Sequence, residues 1–133
     1  MSGKIQHHTK NSVLSLHDTV LRAHGGLAGV RSHELLESAI AAPQASFQGE
    51  FIFSDPIEIG AAYLFYLCAN HPFNDGNKRT ALASCLVFLI TNKVLSADIV
   101  LDTDAWEAFV LDVAASKIDR DAATERLREL IAE

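Results

Sequence analysis

One stretch of nine residues carries most of the side chains in this chain whose types and spacing could do chemistry. It reads His71-Pro72-Phe73-Asn74-Asp75-Gly76-Asn77-Lys78-Arg79, between an apolar run that ends at Asn70 and another that starts at Ala81. A base, a carboxylate and two cations therefore fall between two segments that should belong to the core. This stretch is the first candidate for a functional site.

Local backbone chemistry predicts how the stretch folds. Pro72 cannot continue a helix and biases His71 away from helical geometry, so a helix over residues 57–70 should end there. Gly76 offers a backbone position free of side-chain clash, and Asn77 is a good N-cap for a second helix. We therefore expect His71 on a turn and the second helix to begin at the motif itself.

The start of that second helix is suited to bind an anion such as phosphate. Its first turn has unpaired backbone N–H groups and the positive end of the helix dipole, and Lys78 and Arg79 add charge. Asp75 would face a phosphate with the wrong sign unless its carboxylate and the phosphates share a Mg²⁺ ion. Histidine titrates near neutral pH, which suits His71 to take a proton from an attacking hydroxyl. The stretch alone predicts phosphate-ester chemistry.

A purely structural interpretation of the same residues stays open. A turn rich in His, Asn, Asp and Gly can be a well-capped connection, with His71 hydrogen-bonded in a core and Lys78 and Arg79 solvated. For any single residue this is the commoner case. It is weaker for the set, because a structural turn needs no base, carboxylate and pair of cations at one helix N-terminus.

The motif resembles the signature loop of the Fic/Doc superfamily, His-Pro-Phe-x-Asp-Gly-Asn-Lys-Arg. The Lys after the Asn resembles the death-on-curing (Doc) branch, whose members are toxins of toxin-antitoxin pairs. The likeness extends from about Val13 to Leu95, through Leu16-His17-Asp18, Gly25-Gly26-Leu27, the segment 35–43, and Phe88-Leu89 followed by Asn92. The resemblance implies a compact Fic-type helical fold.

The resemblance also implies a role for each polar residue of the motif. His71 would be the base that activates a hydroxyl of a target protein, and Asp75 would hold Mg²⁺. Gly76, Asn77 and the helix N-terminus would cradle the phosphates of ATP. Arg79 would contact phosphate as well.

Two positions bear on which group is transferred. Family members that attach AMP usually have Gly where this chain has Lys78, and a second Arg where it has Leu82. A Lys would crowd the phosphate site while adding charge, and in the Doc branch it goes with reversed ATP placement and transfer of the γ-phosphate. Pro72 and Gly76 are closer to the AMP-transferring branch, so both chemistries stay open.

The resemblance thus implies a toxin that phosphorylates a Ser or Thr hydroxyl of a host protein and arrests translation, with translation elongation factor Tu as the type of target. A cognate antitoxin would inhibit it in trans through a segment that folds on binding. One alternative is a protein adenylyltransferase on the same fold. Another, of a different class, is a non-catalytic protein that binds the antitoxin or regulates their operon.

Composition and charge limit the other possibilities. A chain of 133 residues that is 49% hydrophobic should form one domain over residues 1–133. A net charge of −6 argues against non-specific binding to nucleic acid or to an anionic membrane. The longest apolar run is too short to span a bilayer.

The N-terminus and the cysteines suggest a cytoplasmic protein. Residues 1–11 are polar, contain no apolar signal region, and are expected to be flexible with His7 and His8 solvated. Cys68 and Cys85 lie inside apolar helical runs, where reduced core thiols are expected.

The apolar spacing predicts an all-α bundle of about six helices with at most one small hairpin. A first helix over 13–21 should end at Gly25-Gly26, with His17 as a satisfied, partly buried residue of its apolar stripe. A second helix, capped by Ser32, should end at Pro43.

Three further helices follow from the same signals. The run 57–70 is apolar nearly all round and should be the central helix. Asp102 or Thr103 should cap a helix that buries Trp106, and Asp119 should begin the last helix.

The segment between Pro43 and Pro56 follows a different pattern. Alternation at Phe51, Ile52 and Phe53 indicates a short strand. The resemblance matches this segment to a flap that pairs with the backbone of the target protein by strand addition. A loop that packs its aromatic side chains onto the core is the alternative, and the sequence does not separate the two.

Overall fold

A computed structural model describes residues 4–132 as six helices and one short hairpin. The elements are α1 (Lys10–His24), α2 (His33–Ala41), a 3₁₀ turn (Ala42–Gln44), β1 (Ser46–Phe47), β2 (Glu50–Phe51), α3 (Pro56–Asn70), α4 (Asn77–Thr91), α5 (Thr103–Ala114) and α6 (Arg120–Ala132). The predicted all-α class, with about six helices and one small hairpin, is confirmed.

Helix α3 lies at the centre of the bundle. It packs against α2, α4, α5 and α6. Its side chains Ile59, Tyr63 and Leu64 are fully buried, as expected for a helix that is apolar on every side. The carboxylate of Asp55 caps its N-terminus by accepting the N–H of Ile57 at 3.0 Å. The predicted central helix is confirmed, and the residues between α3 and α4 are the motif.

Local caps end α1 and begin α2, α5 and α6 where the sequence predicts. Gly25 ends α1 with φ +77°. Ser32 Oγ accepts the N–H of Leu35 at the start of α2. Asp102 and Asp119 accept the N–H groups three residues ahead of them at the starts of α5 and α6.

The N-terminal histidines pack against the rest of the protein and are not solvated, because His8 is buried and His7 is half-buried. His8 is 7% exposed; its backbone N–H donates to the Tyr63 hydroxyl at 3.1 Å, and its Nε2 donates to the Ser84 carbonyl at 2.7 Å. His7 Nδ1 lies 2.8 Å from the same hydroxyl, and its ring contacts Phe51. Burial lowers the pKa of both histidines and raises the pKa of Tyr63 to about 12.

The expectation of solvated histidines is therefore wrong, and its physical reason is distance along the chain. The Tyr63 and Ser84 partners of His8 lie 55 and 76 positions away, so no local sequence pattern predicts these contacts. The first three residues of the expected flexible terminus lie outside the described residues. We call residues 4–9, which lead into α1, the N-terminal strap.

The observed strand covers different residues from the predicted one. Ser46 pairs with Phe51 in an antiparallel ladder. The strand ends at Phe51, and Phe53 is buried with the guanidinium of Arg120 4.7 Å from its ring centroid. Phe53 belongs to the core and is not available to a docked partner, whereas Phe51 and Ile52 are 61% and 59% exposed.

The remaining global predictions concern membranes and thiols. None of the helices within residues 4–132 is long and apolar enough to cross a membrane. Cys68 and Cys85 are free and buried, as predicted. Burial raises the pKa of the Cys68 thiol to about 12, so it stays protonated at neutral pH.

Candidate active site

His71 stands at the junction between α3 and the motif loop, residues 71–76. Its backbone is left-handed, with φ +49° and ψ +55°, a conformation that costs a non-glycine residue roughly 1–2 kcal/mol. The prediction that Pro72 forces His71 off the helix is confirmed. Within residues 4–132, His71 is held through its backbone carbonyl, which accepts from Arg31 Nε at 2.8 Å, while its imidazole is exposed on a cleft.

A second loop, residues 25–31, runs alongside the motif loop and supports it. We call it the glycine loop. Val30 and Phe73 form an antiparallel bridge. The backbone N–H of Arg31 donates to the Pro72 carbonyl at 2.7 Å, and that of Asn74 donates to the Gly29 carbonyl at 3.1 Å. The middle of the motif loop, residues 72–74, is thus paired with the backbone of a neighbouring loop.

The carboxylate of Asp75 is held by two backbone donors. Its Oδ2 accepts the N–H of Leu27 at 3.1 Å, and its Oδ1 accepts the N–H of Gly76 at 2.9 Å. These two hydrogen bonds, that of Leu27 first, lower the pKa of Asp75. A Cβ at Gly26 would lie 2.9 Å from Oδ2, so the glycine loop can approach this closely only with glycine at that position.

His17 holds the backbone of the same residue from the other side. Its ring lies parallel to that of Phe73, with centroids 3.7 Å apart and 8° between the planes. Its Nε2 donates to the Asp75 carbonyl at 2.8 Å. The predicted satisfied histidine is confirmed, since the side chain is 5% exposed, and the structure adds that it contacts the motif.

The N-cap of α4 is Gly76, and the prediction of Asn77 for that place is wrong. Gly76 is left-handed, with φ +77°, and helix α4 begins at Asn77. The Asn77 amide is buried and turns back onto Phe73, accepting its N–H and donating to its carbonyl, both at 2.9 Å. Asn77 therefore contributes only its backbone N–H to a bound anion.

The first turn of α4 keeps donors and charge for an anion. The Thr80 N–H donates to the Gly76 carbonyl, so the N–H groups of residues 77–79 precede the first helical hydrogen bond. Lys78 and Arg79 are exposed. The ion pairs found within residues 4–132 use other side chains, so both cations face the cleft region without a carboxylate partner there.

One cleft of about 660 Å³ joins these groups. Its polar end contains all six predicted site residues of the motif: His71, Asp75, Gly76, Asn77, Lys78 and Arg79. Its other end is mostly apolar and is formed by α4, α5 and the segment before α5, with Leu82, Leu86, Leu101, Trp106, Val110 and Leu111, but Thr103 and Glu107 line it as well. The volume is typical of small-ligand sites. Phe51, Ile52 and Phe53, predicted to dock a target, are not among the residues that line it.

Sequence reasoning missed Arg31. Its Nη2 donates to the Asn70 carbonyl at 2.9 Å, beside the bond from Nε to His71. The two acceptors lie 39 and 40 positions away, so no local spacing connects them. Its only sequence signal is a cation just before the N-cap Ser32, which is not specific.

The donor set fits a Mg²⁺ ion shared with a substrate. Asp75 is exposed, and each of its oxygens keeps a lone pair beyond the N–H group that it accepts. Within residues 4–132 there is no cluster of three or more His, Cys, Asp or Glu side chains that could hold a metal alone. Magnesium is commonly bound by one or two carboxylates together with substrate phosphates, and Asp75 could supply the carboxylate.

Comparison with known proteins agrees with this geometry. The sequence pattern of the Fic/DOC family matches residues 7–89. The chain is 33% identical over 126 residues to the Protein kinase doc of Escherichia phage P1, covering 95% of this chain and 96% of that protein. It is 40% identical over 106 residues to the Toxin Doc of Mycolicibacterium smegmatis, covering 79% and 80%.

Proposed function

This chain belongs to the Fic/DOC family, and from that premise we propose that it is a Doc-like toxin that transfers the γ-phosphate of ATP to a Ser or Thr hydroxyl of a host protein. One observation carries the proposal. A histidine whose imidazole has no side-chain partner within residues 4–132, an ionised carboxylate and a helix N-terminus with two cations line the same cleft. This set matches the needs of phosphoryl transfer, which are a base, charge neutralisation and positioning.

His71 acts as the general base. Its imidazole is exposed to the cleft, so it can reach the hydroxyl of a docked protein and take its proton as the oxygen attacks phosphorus. The proton passes from the hydroxyl oxygen to the imidazole, and ADP leaves with the electron pair of the broken bond.

The first turn of α4 stabilises the charge of the phosphates. The helix holds the backbone N–H groups of residues 77–79 in orientations that suit a bound phosphate. Lys78 and Arg79 add positive charge at the same helix N-terminus. Asp75, fixed by Leu27 and Gly76, would hold Mg²⁺ together with the phosphates. When bound, that ion would offset phosphate charge.

Transfer of phosphate is preferred to transfer of AMP because of two positions. Lys78 lies at the anion site where AMP-transferring relatives have Gly, and Leu82 lies on the cleft wall where they have a second Arg. The similarity to a relative named a protein kinase supports the same choice. Protein adenylylation is the second candidate, favoured by Pro72 and by the left-handed Gly76 at the N-cap.

The partners follow from the family. We propose a cognate antitoxin as inhibitor, because a relative is named Toxin Doc. We propose a translation elongation factor of the Tu type as target on the resemblance of the motif to the Doc branch. A non-catalytic role in binding an antitoxin is the rival from another class, and it predicts that His71 is dispensable.

The test is the mass of the modified protein. The chain, purified free of antitoxin, is incubated with ATP, Mg²⁺ and a bacterial extract, and the intact mass of any modified protein is measured. A gain of one phosphate supports the proposal, and a gain of AMP replaces it with adenylylation.

The matched variants are His71→Ala and His33→Ala. His33 is an exposed histidine at the start of α2 and does not line the cleft, so its variant should modify the target as wild type does. His71→Ala should not. Growth arrest by both variants would favour the non-catalytic role.

A further inference from the structure

We propose that Arg31 is a positioning residue for His71, holding the catalytic base at the angle from which it meets the hydroxyl. This inference rests on the base function proposed above. It adds a residue that lies outside the motif and does not line the cleft.

The contacts of Arg31 converge on the backbone of His71. Its Nε donates to the His71 carbonyl at 2.8 Å, and its Nη2 donates to the Asn70 carbonyl at 2.9 Å. These are carbonyls at the C-terminal end of α3, where helix geometry leaves acceptors without partners and where the dipole favours a cation. The planar guanidinium binds two neighbouring acceptors at fixed angles.

His71 has a particular need for such support. Its left-handed backbone, φ +49°, is one that a non-glycine residue keeps only when its surroundings impose it. On its C-terminal side Pro72 is fixed, because its carbonyl accepts the N–H groups of Arg31 and Ser32. On its N-terminal side the guanidinium of Arg31 fixes the Asn70 carbonyl, and it also fixes the carbonyl of His71 itself. The side chain and backbone of one arginine therefore hold both sides of His71.

We expect that the side chain of Arg31 can be removed without unfolding the protein. Arg31 is exposed, so water can replace the guanidinium at both carbonyls. Its backbone N–H bond to Pro72, at 2.7 Å, survives truncation. The hydrogen bonds of Asp75 and Asn77 do not involve this side chain, so the anion-binding end of the motif should be unchanged.

The first test is kinetic. For Arg31→Ala we expect kcat to fall about 10- to 100-fold, the size expected when a catalytic group is misplaced by about 1 Å. The KM for ATP should stay within about twofold of wild type, because the phosphate-binding groups are not disturbed. Arg31→Lys, which keeps the charge but loses the planar fork, should recover only part of kcat.

Arg22→Ala on α1 is the control and should match wild type. The side chain of Arg22 is 80% exposed and pairs with Asp18.

A double variant separates positioning from general stability. In a His71→Ala background, adding Arg31→Ala should cause no further loss of rate, because Arg31 acts through the base that has been removed. A further loss of tenfold or more would overturn the proposal, since it would mean that Arg31 supports some other part of the site.

An NMR measurement keeps the inference testable apart from the enzymatic activity. The backbone amide and imidazole resonances of His71 should shift in Arg31→Ala, while the amide resonances of Asp75 and Lys78 stay in place. Unmoved His71 resonances would overturn the proposal, as would an unchanged kcat. If the wild-type protein transfers no group at all, the proposed function is what fails, and the His71 resonances still decide whether Arg31 sets its conformation.

Discussion

The two ends of the motif loop are held in opposite ways. At the far end, the side chains of Asp75 and Asn77 are each engaged by two hydrogen bonds to backbone groups, and His17 fixes the Asp75 carbonyl. At the near end, His71 is fixed through its backbone, and its imidazole stays free on the cleft. The nine residues 71–79 thus combine a rigid anion site with a base whose imidazole makes no hydrogen bond within the described residues.

The difference follows from what each end must do. Groups that stabilise developing charge act best when they are already oriented, because no reorganisation is then needed during the reaction. A general base must instead meet a hydroxyl brought by another protein, so an internal hydrogen bond to its imidazole would have to be broken first. Stability should therefore depend on the far end of the loop, and catalysis on both.

The largest effect is expected from His71→Ala. Loss of the general base should lower the transfer rate by roughly 10²–10⁴-fold. The free energy of unfolding should change by no more than about 0.5 kcal/mol, as for surface substitutions, because the imidazole is exposed. Rates of phosphate incorporation and urea unfolding curves measure the two quantities. A clear loss of stability would show that the imidazole is engaged and that the contrast between the two ends is false.

Gly26→Ala tests the rigid placement of Asp75. A Cβ there would lie 2.9 Å from Asp75 Oδ2, so the carboxylate must shift. The Mg²⁺ concentration for half-maximal activity should then rise about 10- to 100-fold, as when other supports of metal ligands are removed. Gly25→Ala is the matched control, because Gly25 also has positive φ, +77°, but nothing lies within 4 Å of its Cβ position. Equal Mg²⁺ requirements in the two variants would contradict a fixed carboxylate.

Asn77→Ala measures how much the far end contributes to folding. It leaves the buried N–H and carbonyl of Phe73 without their partner, which should lower the free energy of unfolding by about 1–3 kcal/mol. Asn74→Ala removes an exposed amide bond to the Ala28 carbonyl, and water can replace that bond. The urea unfolding midpoint of the Asn74 variant should therefore be close to that of wild type. A loss of unfolding free energy as large as that of Asn77→Ala would contradict the claim that the buried bonds of Asn77 contribute more to stability.

The smallest effect concerns acid, through the N-terminal strap that supports α4 from behind. Burial lowers the pKa of His8 below its ordinary value of 6.5. The unfolded chain therefore takes up a proton before the folded one does, and stability falls as pH drops below about 6.5 until the folded state is protonated too. Above that value His8 has no effect on the pH dependence.

His8→Gln, which cannot titrate, should therefore lose less stability on acidification than wild type. The melting temperature measured on either side of pH 6.5 tests this. His33→Ala, which removes an exposed histidine, should follow wild type. If the melting temperatures of wild type and His8→Gln change equally with pH, then protonation of His8 does not affect the stability of the fold.

The sequence predicts those parts of the fold that local chemistry decides. Gly25, Ser32, Asp102 and Asp119 end or begin helices because caps depend on residues within one turn. The motif residues converge for the same reason, since nine consecutive residues cannot lie far apart. Helix α3 is predictable because a helix that is apolar on every side must be buried among other helices.

The errors have two physical origins. Asn77 had two local uses, as an N-cap or as a partner of Phe73, and the left-handed Gly76 beside it decided between them. The buried histidines of the strap and the contacts of Arg31 depend on partners dozens of positions away, which only the packing of α3 and α4 brings near. Residues that position a site are therefore harder to find from sequence than residues that act in it.

The most direct test of phosphoryl transfer by this cleft uses ATP labelled with radioactive phosphorus at either the γ- or the α-position. The antitoxin-free protein is incubated with each form, Mg²⁺ and a bacterial extract, and protein-bound label is counted for wild type and His71→Ala. We predict label from the γ-position only, incorporated roughly 10²–10⁴-fold more slowly with His71→Ala. Label from the α-position would mean that AMP is transferred, and equal γ-label with His71→Ala would mean that His71 is not the base.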